Sequence, residues 1–218
     1  MTTPTPAPDT ALILVDIQND FLPGGSLAVP DGDAIIPLVN EATALGVFHV
    51  VATRDWHPVT HCSFASNHPD KQPFSTTDVD GLTTTLWPTH CVQNTHGAEF
   101  GPGLVTSRVD HVVSKGTGER VESFSGFYDS KRCTTQLGEH LRDKGIRQVI
   151  VAGLATDYCV RATVLDSLAS GFPTTVWLDA CRGIDAKPGD IQRAFEEMEA
   201  AGATLVEAHS PVSLLALA

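Results

Sequence analysis

The chain has 218 residues, enough for one α/β unit with a full core, and carries 26 acidic against 14 basic residues for a formal net charge of −12. That balance, with no local basic stripe, argues against a nucleic-acid surface, and no apolar run reaches the ~18 residues that a membrane span requires. The five cysteines are odd in number and form no Cys-x-x-Cys pair, which argues against a disulfide framework and for free thiols in a reducing compartment, the cytoplasm.

Residues 1–10, rich in Pro and Thr, lack the charged and apolar regions of a secretory signal and read as a disordered or extended lead-in. Residues 11–218 show no repeat or linker break and read as a single domain. Short runs rich in β-branched residues predict strands at Ala11–Ile17, Val47–Thr53, Val109–Lys115, Gln148–Leu154, Thr174–Leu178 and Thr204–Glu207. Amphipathic stretches between them predict helices over Asp33–Leu45, Cys133–Lys144, Asp157–Ser170 and Ile191–Ala201, each stopped by a glycine. Strand–helix alternation of this kind predicts a parallel sheet covered by helices on both faces, with ligands beyond the carboxyl ends of the strands. The interval from Arg54 to Arg108 breaks the rhythm. It holds five histidines and little helical periodicity, and a loop of that length in a compact domain is usually functional or disordered; its tryptophans and histidines argue for function.

Four segments carry chemistry. Asp16 falls inside an apolar strand run, where an ionised carboxylate is costly unless paired. It is either a structural acceptor for backbone N–H groups or a general base. Arg54-Asp55-Trp56-His57 places an Asp and a His two apart on one side of an extended segment. With His90 as a third donor they would form a mixed oxygen/nitrogen metal site, and His61 strengthens the pattern, while His68 and His96 read as surface loop residues. Lys115 closes an apolar strand, as a snorkelling cation or as a charge held for the site. Cys159 lies where the Gln148–Leu154 run gives way to a helix. Orphan N–H groups, the helix dipole and a nearby lysine favour a thiolate there, so Cys159 is the candidate nucleophile and Cys62, Cys91, Cys133 and Cys181 read as structural.

The run Val15-Asp-Ile-Gln-Asn-Asp-Phe-Leu-Pro-Gly-Gly-Ser-Leu-Ala-Val29, then Arg54-Asp-Trp-His-Pro58 with His61, Trp87-Pro-Thr-His-Cys91, Ser125-Gly-Phe127 and Gly153-Leu-Ala-Thr-Asp-Tyr-Cys159, resembles the nicotinamidase branch of the isochorismatase-like cysteine hydrolases, from Leu12 to about Val206. The resemblance implies an α/β fold, a three-layer α-β-α sandwich around a six-stranded parallel sheet. It implies a catalytic triad of Asp16, Lys115 and Cys159, an oxyanion hole from the N–H groups of Ala155 and Cys159, and a cis peptide between Leu154 and Ala155. Phe21, Leu27, Trp87, Phe124 and Tyr158 would line the substrate pocket. One divalent metal ion, Zn²⁺ first and Fe²⁺ or Mn²⁺ otherwise, would be held by Asp55, His57 and His90, with His61 assisting directly or through water. The implied reaction is hydrolysis of nicotinamide to nicotinate and ammonia through a thioester, in NAD salvage, with pyrazinamide as a further substrate. The alternative is a related amidase acting on N-carbamoyl or ureido compounds. The partner is a small molecule, with neither nucleic acid nor membrane involved, and the protein would act as a monomer or homodimer.

Overall fold

The computed structural model describes residues 9–217. The lead-in expected over residues 1–10 falls outside the described residues at positions 1–8, while Thr10 already belongs to the first strand. In chain order the strands are β1 (Thr10–Val15), β2 (His49–Asp55), β3 (Thr76–Val79), β4 (Leu82–Thr85), β5 (His111–Lys115), β6 (Gln148–Leu154), β7 (Thr174–Arg182) and β8 (Thr204–Val206). The helices are α1 (Ile36–Ala44), α2 (Leu137–Asp143), α3 (Arg161–Ala169) and α4 (Asp190–Ala200).

Six strands form one parallel sheet in the order β5-β2-β1-β6-β7-β8. The side-chain period of two sorts the central strand onto both faces. Leu12 and Leu14 pack in a core with Val39 and Ala42 of α1, whereas Ala11, Ile13 and Val15 pack with Leu141 of α2, Val164 of α3 and Met198 of α4. Strands buried on both faces read as continuous apolar runs, which is why β1 and β6 were legible in sequence. Fully burying each such Leu, Ile or Val contributes roughly 1.5–3 kcal/mol. The result is the expected three-layer sandwich.

The boundaries differ in instructive places. The polar stretch Thr76–Thr85 forms an antiparallel hairpin, β3–β4, that the loop reading omitted; its residues are mostly exposed, so no apolar alternation marks it. Helix α2 begins at Leu137 rather than Cys133, because Gln136 sits in the left-handed region; Asp129 takes the Cys133 N–H (2.8 Å). Residues Thr156–Val160 form a wide π-helical turn before α3 starts. Strand β7 continues past Leu178 because, after an irregularity in register, its pairing resumes at Gly153 with Cys181 and Leu154 with Arg182.

From β1 the chain moves through β2 to β5 on one side of the sheet, then through β6 to β8 on the other. The reversal lies between β1 and β6, so a crevice opens beyond their carboxyl ends. There the strands pass closely: a Cβ on Gly153 (φ +130°) would stand 2.2 Å from the Val15 carbonyl oxygen, which only glycine avoids. The Leu154–Ala155 peptide that follows is cis.

Candidate active site

Strands β5, β2, β1 and β6 are consecutive in the sheet, so the residues that close them stand side by side, about 4.8 Å apart strand to strand. Lys115 ends β5, Asp55 ends β2 and faces Lys115 in register, Asp16 follows β1, and the turn after β6 carries Ala155 and Cys159. Residues separated by more than 140 positions thus converge on one edge.

The Lys115 ammonium is the hub. Its Nζ lies 2.8 Å from Asp16 Oδ2, contacts the Asp55 carboxylate, and donates to the Ser123 carbonyl (3.1 Å) and to Cys159 Sγ (3.3 Å). Lys115 is 2 % exposed and Asp16 fully buried, so these charges are compensated by one another rather than by water. Burial alone would push the Lys115 pKa down, but Asp16, Asp55 and Cys159 outweigh it and hold it well above the ordinary value. Burial drives the Asp16 carboxyl up, against the pull of Lys115. Asp16 Oδ1 accepts the Thr53 hydroxyl (2.6 Å), while Oδ2 faces the Lys115 ammonium.

The thiol differs from the sequence expectation. Burial, reinforced by the Asp16 and Asp55 carboxylates, pushes Cys159 well above the usual thiol range, and Lys115 opposes this without prevailing. Desolvation and the two buried carboxylates thus favour the thiol over the thiolate, against the pull of the single ammonium. Asp16, whose pKa burial raises, is a carboxylate adjacent to this sulfur.

Beside this cluster, Asp55, His57 and His90 are all buried, with ligand atoms within 4.8 Å of one another. His57 Nδ1 is bonded to the Gly116 carbonyl (2.9 Å) and His90 Nδ1 to the Pro88 carbonyl (2.7 Å). Both carbonyls only accept, so Nδ1 carries the proton and each Nε2 presents a lone pair. These lone pairs lie 3.6 Å and 3.8 Å from Asp55 Oδ2. Three acceptors facing one another fit a divalent cation, and the carbonyl-anchored imidazoles are the supporting contacts such a site uses. Asp16, Asp55 and Cys159 also lie within 4.8 Å of one another, but the Lys115 ammonium contacts all three. His61 stacks by His57 (ring centroids 4.2 Å) without joining the three donors: its Nδ1 meets Ser63 Oγ (2.8 Å) and its Nε2 the Val121 carbonyl (3.2 Å). Burial is the main cause that pushes its pKa down to about 4, so it stays neutral.

A narrow cavity joins the two clusters. Phe21, Leu27, Trp87, Phe124 and Tyr158 line it together with Asp55, His90, Ala155 and Cys159, so every pocket residue expected from sequence is there. Trp87 meets Tyr158 edge-on at 4.9 Å and Phe124 at 6.4 Å, forming an aromatic wall suited to a flat ring. His68 bonds the Cys62 carbonyl and His96 is exposed, both away from the cavity.

Several contributors escaped the sequence reading. Glu122 and Ile184 also line the cavity, and Glu122 Oε2 is buried without a hydrogen-bond partner. Gln18 holds Asp55 through its backbone, accepting the Asp55 N–H (2.7 Å) and donating to the Asp55 carbonyl (2.8 Å). Asp20 accepts the Cys91 N–H (2.7 Å) next to His90. Asp157 accepts the N–H groups of Ile184 (3.0 Å) and Asp185 (2.9 Å), fixing that loop over the cavity. A buried polar residue within an apolar run was the available signal for Gln18; Glu122 and Ile184 had none.

Gly116 supplies a test of the metal pocket. Its φ is +62°, and a Cβ there would stand 2.3 Å from His57 Cε1. Gly116→Ala is expected to displace the imidazole and weaken metal binding by about 10–100-fold. Metal content after dialysis reads this directly, and wild-type retention by the variant would show that His57 is not held as described.

A buried thiol beside a carboxylate base and an ammonium, on the carboxyl edge of a parallel sheet, places the molecule in the class of α/β cysteine hydrolases. Comparison with known proteins narrows this: the Isochorismatase domain family matches residues 10–210, and the chain belongs to that family. It is 47 % identical over 203 residues to the nicotinamidase of Escherichia coli, spanning 91 % of this chain and 94 % of that protein. Its fold superposes on an Acinetobacter baumanii nicotinamidase/pyrazinamidase with a TM-score of 0.89 at 42 % identity, covering 96 % and 100 % of the two chains. It also superposes on the pyrazinamidase of Pyrococcus horikoshii in complex with zinc, with a TM-score of 0.76 at 44 % identity, covering 92 % and 100 %.

Proposed function

We propose that this chain is a nicotinamidase, hydrolysing nicotinamide to nicotinate and ammonia in NAD salvage, with pyrazinamide as a second substrate. One observation carries the reading: Cys159, Asp55 and His90 open onto the same aromatic-walled cavity, so a flat ring and its carboxamide can reach thiol and metal pocket together. Residues 11–218 act as one catalytic domain, in the cytoplasm, on a small-molecule substrate. Among the described residues no helix is long and apolar enough to cross a membrane.

Asp16 Oδ2 takes the Cys159 proton as sulfur bonds to the carboxamide carbon. The carbonyl oxygen becomes an oxyanion, for which the N–H groups of Ala155 and Cys159 are the proposed donors; one such donor is commonly worth about 10²–10³ in rate. Lys115 keeps the developing negative charge on sulfur and Asp16 balanced within the buried cluster. Asp16 returns the proton to the amide nitrogen, the C–N bond breaks, and ammonia leaves a thioester. Water then adds to the thioester carbon, giving a proton to Asp16; the C–S bond breaks, and the proton returns to sulfur as nicotinate departs. A divalent ion held by Asp55, His57 and His90, Zn²⁺ in our reading, would supply Lewis acidity toward a pyridine nitrogen or water. Phe21, Leu27, Trp87, Phe124 and Tyr158 confine the ring, and His61 supports His57 by packing.

Ammonia release from nicotinamide by the metal-loaded protein tests the assignment. Turnover supports it, and none overturns it. Removal of the ion with a chelator is expected to abolish that turnover, and stoichiometric Zn²⁺ to restore it, with metal content followed in parallel. Full activity in protein shown to be metal-free would rule out a role for the pocket as a metal site.

A further inference from the structure

Outside this site, three histidines lie together at the opposite, amino-terminal end of the sheet. His49 opens β2, His111 opens β5, and His140 sits on α2. Neighbouring strands and the helix packed on them bring the three rings together. His49 Nε2 and His140 Nε2 are 2.9 Å apart, and the His111 ring stacks on His140 with centroids 3.8 Å apart and planes 14° off parallel.

Asp110 Oδ2 anchors this end. It accepts the Val50 N–H (2.8 Å) and lies 3.5 Å from His49 Nδ1. At that distance the carboxylate is an ionic neighbour of the His49 ring, on the Nδ1 side, while Nε2 faces His140. The 2.9 Å contact is a hydrogen bond, so one Nε2 carries the shared proton; an ion bridging the two nitrogens would displace it, and at about 2.0–2.1 Å per bond the same separation corresponds to an angle of roughly 90°. Burial, the main cause for each ring, lowers the pKa of His49, His111 and His140, which keeps them in the neutral, ligating form. The cluster borders an open groove of about 420 Å³ lined by His111, His140, Gln136, Glu139 and Asp143, where water and carboxylate oxygens have room to complete a coordination shell. Lys144 acts on all three rings, and Asp110 and Asp143 counter it at His49 and His140.

We propose that His49 and His140 form a second metal site, taking an imidazole-preferring transition-metal ion of the Zn²⁺, Ni²⁺ or Cu²⁺ kind, with His111 backing the His140 ring and the groove supplying oxygen donors. An ion there clips α2 to β2, at the end of the sheet remote from the cavity. It shares no residue with the Asp55, His57 and His90 pocket, so it stands independently of the reading of that pocket.

Ni²⁺ is the probe. Untagged protein carrying its active-site metal is dialysed against Ni²⁺, and total metal is measured by elemental analysis. Wild type is expected to hold one equivalent more than His140→Gln, whose affinity for that equivalent falls at least about 10-fold, while nicotinamide turnover is unchanged. His57→Ala is expected to keep the extra equivalent. Equal metal content in wild type and His140→Gln would overturn the proposal. Should His140→Gln misfold, paramagnetic broadening in wild type decides: Ni²⁺ is expected to broaden the ring signals of His49, His111 and His140 before any others, and broadening that begins elsewhere would overturn it.

Discussion

Cys159→Ala is expected to lower ammonia release from nicotinamide by about 10⁵-fold, the scale on which removal of a nucleophile acts in a cooperating set of catalytic groups. The replacement removes only a buried Sγ, leaving the backbone of the turn, the Asp55–His57–His90 donors and the aromatic wall in place. Metal content and the unfolding midpoint should therefore remain near wild type, which separates a lost nucleophile from a lost fold. Intact mass after acid quench should show a nicotinoyl adduct on wild type and none on the variant. Residual turnover within about 100-fold of wild type would instead point to hydroxide generated in the metal pocket as the attacking group. With burial holding the thiol pKa above its ordinary value, the rate is expected to depend on Asp16 taking its proton rather than on a pre-formed thiolate.

Lys115→Met should have the largest effect on stability. The side chain reaches Asp16, Asp55, Cys159 and the Ser123 carbonyl from a position 2 % exposed. An apolar replacement of similar length leaves two buried carboxylates facing each other without a cation, and breaking a buried pair in this way costs about 3–5 kcal/mol. Urea unfolding of the metal-free protein measures the loss. Turnover should fall as well, since nothing then offsets the charge that develops on Asp16 and sulfur. The double variant Lys115→Met, Asp16→Asn is expected to recover part of the stability and none of the activity, because it removes one of the orphaned charges along with the base. A loss below about 1 kcal/mol in the single variant would mean that water or proton uptake replaces the ammonium cheaply.

Much of the architecture could be read from residue pattern. Buried parallel strands need apolar side chains on both faces, so β1, β2 and β6 stand out as unbroken runs, and α1–α4 each end next to a glycine of positive φ. The hairpin β3–β4 could not be read this way, since its residues are mostly exposed and carry no face preference. The start of α2 was set by backbone conformation: Gln136 sits in the left-handed region, which a right-handed helix does not pass through. At the site, Asp16, Asp55, Lys115 and Cys159 were visible because each puts a polar or reactive atom at the end of an apolar run. Glu122 and Ile184 reach the cavity from irregular segments with no such mark.

What the amino-acid sequence determined by itself was the set of parts: which runs become strands, which residues close them, and which side chains bear chemistry, because hydrophobic period and residue type are local properties. Tertiary structure alone decided how the parts act on each other. The order β5-β2-β1-β6 sets Lys115, Asp55, Asp16 and Cys159 at neighbouring strand ends. The Gly116 and Pro88 carbonyls choose the imidazole tautomers. His61 packs against His57, with its ring nitrogens at Ser63 Oγ and the Val121 carbonyl. The thiol is favoured over the thiolate because desolvation and two carboxylates outweigh one ammonium, a balance set by distance and burial, which depend on residues far apart in the chain.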